Sequence, residues 1–186
     1  MKDGIKFTIV VLLFSLWAFP RCVEANEPPD VPLWLARSCV GESGWDTHKT
    51  GECAAIIHIY RKRSEVTGKS IYEVARKYSA AIKHHKGHPN PWVKHLDRMG
   101  TKPKGLPTTV KWDVLKPIWL DVLAWVDTFV ANPTPDPVPL ADHYGGEVDH
   151  ALAMKKGWWK LNTPFKNNFY SVTNPKKKGE QNVSNN

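Results

Sequence analysis

Across residues 31–131 apolar side chains return mostly at helical spacing, and the places where that spacing stops mark the turns. Leu33, Ala36 and Val40 line one face of a segment that Pro32 can open as a first-turn residue, which predicts a helix from residue 32 to about residue 42. The polar stretch WDTHKTGE reads as a loop. It leads into ECAAIIHIYRKRSEVTG, where Cys53, Ile56, Ile57 and Tyr60 share a face, predicting a buried helix that ends at Gly68. SIYEVARKYSAAI starts a third helix, because Ser70 followed three residues later by Glu73 is a capping box. The strongest pattern, Leu115, Ile118, Val122, Val126 and Phe129, predicts a further helix with Pro117 in its first turn and a stop at Asn132 and Pro133.

Elsewhere the periodicity fails. Residues 83–107, KHHKGHPNPWVKHLDRMGTKPKGLP, are rich in His, Lys, Gly and Pro and read as a long surface excursion with one helical turn around residues 92–98. The proline-rich NPTPDPVP connects to a closing segment in which FYSV is the single credible strand. Helices dominate and no internal repeat is visible, so the expected class is mainly α with a short terminal β element.

The N-terminus follows a different rule. Lys2 and Lys6 precede an uncharged run over residues 7–19, and Val23 and Ala25 stand at the minus-three and minus-one places of a signal-peptidase site. Residues 1–25 are therefore expected to be a secretory signal peptide, with an uncleaved anchor as the alternative; Pro20 and Arg21 fit a lipobox at Cys22 poorly. The run is short for a bilayer span and no comparable segment follows, so no stable membrane anchor is expected after cleavage. The expected organisation is one monomeric domain over residues 26–172 and a basic disordered tail over 173–186, in a periplasmic or secreted protein. The charge of the full chain is +8, and removing three basic and two acidic residues with the signal peptide leaves +7. With nine tryptophans, such a chain suits an extended polyanionic or polysaccharide ligand; the export signal and the lack of an Arg/Lys stripe along any helix argue against nucleic acid.

The stretch ARSCVGESGW places Glu42 at the end of the first helix. The negative end of the helix macrodipole and the nearby Trp45 both oppose ionisation of a carboxyl group there, which suits a proton donor. Cys39 sits three residues before it, on the same helix face. Two of the three cysteines remain after signal-peptide removal, and an even count in an exported chain predicts a Cys39–Cys53 disulfide clamping this helix to the next, two buried thiols being the alternative. No metal is expected: His84, His85 and His88 in HHKGH have no carboxylate or cysteine at ligand spacing, and no HExxH occurs. Ser43 lies in GESG, which is not a nucleophile elbow.

An acid at the end of an early helix in VGESG, a following helix with AIIHIYRKR, an A-x-H-Y-G segment and a closing KNNFYSV resemble the lysozyme-like cell-wall hydrolases, above all lytic transglycosylases and the spore-cortex hydrolase group. There the acid follows in A-E-A or A-E-G, the second helix has the form A-x-V-x-x-N-R, and the domain closes on G-x-H-x-F-Y. This chain departs at Gly41 before the acid, at Tyr60 or Arg61 in place of the asparagine, and at Asn167 or Asn168 in place of the histidine. The resemblance implies a lysozyme-like single domain that cleaves the MurNAc–GlcNAc bond of peptidoglycan glycan strands without a cofactor, with Glu42 as general acid. It implies glycan contacts from Ser43, Trp45, His143, Tyr144, Asn167 and Tyr170. A second carboxylate, if used, would be Asp46 or Glu52; neither stands out, which favours a transglycosylase, where Glu42 acts first as acid and then as base on the muramyl C6 hydroxyl. Tyr144 could hold an N-acetyl group or simply fill the core, and Trp158 and Trp159 could stack on sugar or cover the core. A non-catalytic peptidoglycan-binding or envelope-assembly protein of the same fold is the alternative.

Overall fold

The first helix begins where Asp30 Oδ1 accepts from Leu33 N at 3.2 Å, one residue ahead of the expected start at Pro32. In the computed structural model, which describes residues 29–83, 90–145 and 147–173, this helix is α1, Val31–Ser43. It ends at Gly44, whose φ of 105° is open to glycine alone without strain, and whose N–H closes the last turn on Val40 O at 3.0 Å. Glu42 therefore belongs to the last turn of α1. The signal peptide, HHKGH beyond residue 83 and nearly all of the tail lie outside the described residues.

The WDTHKTGE stretch is not wholly loop: Thr47–Thr50 form one helical turn, α2, too short to show a period in sequence. The next helix, α3 (Glu52–Thr67), buries Cys53, Ile56, Ile57 and Tyr60 and stops at Gly68 as expected. The capping box at Ser70 and Glu73 is formed, and α4 covers Ile71–Tyr78. It stops short of the full SIYEVARKYSAAI run because Ser79 takes an extended ψ of 120°.

The largest helix, α5 (Trp112–Ala131), starts earlier than its apolar pattern indicated and carries Pro117 as its sixth residue, not in its first turn. A proline there removes one helical hydrogen bond. Two indole anchors hold the segment in place: Trp112 Nε1 donates to Gly100 O at 3.1 Å and Trp119 Nε1 to Asp97 O at 2.7 Å. The same contacts correct the reading of a surface excursion for its described residues 90–107, although the helical turn expected there does form. Trp92, Val93 and Leu96 are buried, a 3-10 turn forms at Val93–His95, and Arg37 Nε donates to Leu96 O at 2.8 Å.

The closing segment holds three strands rather than one: β1 (His143–Gly145), β2 (Trp159–Leu161) and β3 (Asn168–Ser171), in the antiparallel order β1-β3-β2. β1 and β2 have three residues each, too few for alternation to register. Helix α6 (Glu147–Lys155) links β1 to β2. Tyr144 and Leu161 both pair with Phe169, so these three residues share one face of the sheet. The core is built from Leu35, Ala36 and Val40 of α1, Ile56, Ile57 and Tyr60 of α3, and Trp119, Val122 and Val126 of α5. The fold is thus mainly α with a small terminal sheet. No helix among the described residues is long and apolar enough to cross a membrane.

Cys39 and Cys53 are joined across α1 and α3 with their Cα atoms 5.1 Å apart. Closing a loop of this length stabilises a fold by about 3 kcal/mol in the chain-entropy model. Oxidised protein should be lighter than reduced protein by two hydrogens, and Cys39→Ala/Cys53→Ala should melt well below it. Equal masses, or an unchanged melting temperature, would contradict the clamp.

Candidate functional site

The chain after α4 meets the carboxyl group of Glu42 at the end of α1. Its Oε1 accepts from Ser79 Oγ at 2.6 Å and from Ala81 N at 3.1 Å. Had α4 continued, Ala81 N would have donated to the main chain of its own helix. The departure at Ser79 turns that N–H onto the carboxyl instead, so the end of α4 and the position of Glu42 are one event. Gly41 makes the approach possible: a Cβ built there would lie 2.1 Å from Ala81 Cβ.

Behind the carboxyl lies a chain of hydroxyl groups. Tyr60 on α3 is fully buried; its hydroxyl is 2.7 Å from Ser38 Oγ and 2.5 Å from the hydroxyl of Tyr144 on β1, and it also bonds Ser79. Burial, with the charge of Glu42 adding to it, pushes the Tyr60 phenol well above the usual range. Burial first, then the neighbouring Tyr60 and Glu42, does the same to Tyr144. Both phenols therefore stay protonated at neutral pH and serve Glu42 as neutral dipoles. Neither Ser79 nor the part played by Tyr60 was anticipated from sequence. The only local signal was a serine interrupting the apolar pattern in YSAAI.

A second carboxyl group, Glu52, is tied differently. It is 3% exposed and accepts from Asn167 N at 2.8 Å, from Asn167 Nδ2 at 2.9 Å and from Lys166 N at 3.3 Å. Asn167 Nδ2 also faces Glu42 O at 3.2 Å and Ser43 Oγ at 3.1 Å. Because Glu42 O is an obligate acceptor and a carboxylate is too, the amide must present its NH2 group to them. Glu52, Asn167 and Ser43 thus lock the turn after Glu42 to the strand β3 approach, all three buried.

The remaining expected site residues divide by position. Asp46 is exposed at the start of α2, caps nothing with its side chain, and shares with Ser43, Glu52 and Lys166 a recess of about 310 Å³. Trp45 is half-buried and stacks on Trp92, ring centroids 5.8 Å apart. Tyr170 is 1% exposed, with its hydroxyl 3.1 Å from His150 Nδ1, so it packs inside the sheet layer rather than facing a ligand. His143 is half-buried with its ring 4.0 Å from Trp158, and Trp159 is 48% exposed. Burial, with the positive charges of Arg63 and Lys156 beside it, lowers the pKa of His143 to about 4, so it is neutral at pH 7. Among the described residues no three His, Cys, Asp or Glu side chains group as metal ligands; His84, His85 and His88 lie outside them.

No protein-family model matches this chain, and neither a curated protein nor a solved structure matches it. The reading of the site therefore rests on its own geometry.

Two tests follow. Replacing glycine by alanine inside a helix ordinarily gains about 1 kcal/mol, yet Gly41→Ala should lower the melting temperature because its methyl collides with Ala81. Adding Ala81→Gly should recover the loss; a Gly41→Ala protein as stable as the parent would rule out the close approach. For His143, the folded value of about 4 lies below the ordinary 6.5. Between those pH values the unfolded chain takes up a proton that the folded protein refuses, so stability falls as pH drops from 6.5 towards 4 and this contribution levels off below. Urea midpoints measured from pH 7 to 4 should fall less steeply in His143→Gln, and parallel curves would contradict the assignment.

Proposed function

We propose that this protein is an exported glycosidase of the lysozyme type, cleaving the MurNAc–GlcNAc linkage of peptidoglycan with Glu42 as general acid and then general base. One observation carries the reading: among the described residues Glu42 is held through Oε1, by a hydroxyl and a main-chain N–H, while the other candidate carboxyl groups are engaged as structural acceptor or exposed at a helix start. Donors to Oε1 serve both the neutral acid and its anion, since a carbonyl oxygen and a carboxylate oxygen accept alike. Proton transfer then falls to Oε2, without rearrangement of the groups that hold the carboxyl. The neutral Tyr60 and Tyr144 hydroxyls supply fixed dipoles as charge comes and goes on Glu42.

A retaining or inverting hydrolase needs a second carboxylate facing the anomeric carbon. Glu52 is spent on Asn167 and Lys166, and this favours the single-acid route. In that route the acid protonates the bridging oxygen; the resulting carboxylate then removes the proton from the muramyl C6 hydroxyl as that oxygen closes on C1. The products are a cleaved strand and a 1,6-anhydro end, with no water consumed.

Glu42→Gln keeps the acceptor for Ser79 and Ala81 but transfers no proton. Release of muropeptides from murein sacculi should fall by about 10²–10⁴, with sacculus binding retained, and mass spectrometry of the parent digest should show anhydro ends. Asp46→Asn should digest at the parental rate. Glu52→Gln is no substitute control, because it removes a structural acceptor. Undiminished digestion by Glu42→Gln would overturn the reading, and loss with Asp46→Asn would replace the single-acid route by a two-carboxylate one.

A further inference from the structure

Each of three elements that supply the hydroxyl chain also supplies a neighbouring residue to a second feature. Tyr60 and Arg63 lie one turn apart on α3, Ser79 follows Tyr78, and Tyr144 follows His143. Arg63, Tyr78 and His143, together with Val66 and Val172, line a groove of about 320 Å³. Arg63 lies close enough to Tyr60 and Tyr144 to couple to them electrostatically, and to Asp142 as well.

The composition of the groove is unusual for a protein surface. Its rim carries Val66 at 87% exposure, Val172 at 46% and Tyr78 at 41%, three apolar side chains open to solvent beside a half-buried cation. The guanidinium of Arg63 lies 4.1 Å from the Tyr78 ring centroid and its Nε donates to a carbonyl, Asp142 O, at 3.1 Å. Asp142 turns its carboxylate to Val172 N at 3.2 Å and Ser171 Oγ at 3.4 Å. The other cation of the lining, Lys62, is committed to Asp136 and to the carbonyls of Pro139 and Ala141. Burial is the main influence on Arg63, and it disfavours the charged form. A guanidinium in that condition gains from a ligand carboxylate, which it can meet with two parallel N–H groups.

The geometry points to a subsite for a carboxylate flanked by small apolar groups: the peptide substituent of the glycan, its free carboxylate on Arg63 and its methyl side chains against Val66, Tyr78 and Val172. This rests on the glycan substrate proposed above and adds to it a determinant of specificity. A strand carrying its acidic peptides would be held by this groove as well as by its sugars, and one stripped of them by sugar contacts alone.

The test uses the full chain bearing Glu42→Gln, so that ligands are not consumed, and calorimetry with three probes. These are a GlcNAc–MurNAc disaccharide carrying a tetrapeptide, the same compound with its peptide carboxylates amidated, and the disaccharide with no peptide. Adding Arg63→Gln should weaken the first by about tenfold to a hundredfold, the range for loss of a charged hydrogen bond, and leave the other two unchanged. Val66→Glu, at a position too exposed to affect folding, should weaken the same probe alone by placing a negative charge on the rim; it carries the test should Arg63→Gln fail to fold. Equal weakening of all three probes, or no weakening of the first by either change, would overturn the subsite. Binding in the expected pattern by a parent protein that does not digest sacculi would overturn the catalytic reading and leave the subsite standing. Binding of none of the probes would overturn both.

Discussion

The buried carboxylate of Glu52 is the constraint around which the end of α1 is built. A charge taken out of water is tolerated only when hydrogen bonds replace its hydration. Here the replacements come from Lys166 N, Asn167 N and Asn167 Nδ2, all on the approach to β3. Glu52 also stands in the first turn of α3, where the helix macrodipole favours a negative group. Satisfying one acid therefore fixes the sheet to α3. The amide that does so reaches on to Glu42 O, one of the carbonyls that a helix end leaves without an internal partner. Cys39–Cys53 fastens the same two helices covalently.

Among the described residues Glu42 is held by fewer groups, one of them a hydroxyl. Glu52 accepts from N–H donors on both of its oxygens. Glu42 receives a main-chain N–H and a serine hydroxyl on one oxygen, and the phenols behind it stay neutral. The arrangement depends on small residues: Gly41 leaves room for Ala81, and the break at Ser79 frees the Ala81 N–H. The glycine in VGESG thus has a local reason in the contact between α1 and the chain after α4.

What could be read from sequence was what the local chain decides. The face of α1, the span of α3 and the capping box of α4 follow from spacing and from side chains within a few residues of each other. Helix α2 and strands β1 and β2 escaped notice because three or four residues carry no period. Pro117 misplaced the start of α5 because proline is common in a first turn, whereas here the indoles of Trp112 and Trp119 bind a distant segment and extend the helix past it. Glu42 was singled out by its position at a helix end; its partners were not, since Ser79 and Tyr60 meet it only through packing. Asn167 was expected as a glycan contact and Glu52 as a possible second carboxylate, and each proved to be the answer to the other's burial.

This mutual commitment bears on mechanism more strongly than any single distance. If Glu52 were to serve an anomeric centre it would have to give up donors from Asn167 and Lys166, and those of Asn167 would then be buried without acceptors, at about 1–3 kcal/mol each. The turn that carries Glu42 would lose its anchor in the same step, so recruiting the second acid would misplace the first. A mechanism that asks one carboxyl group to give a proton and take one back avoids that conflict. It needs only that the group keep its place while its charge changes, and the donors on Oε1 suit both charge states.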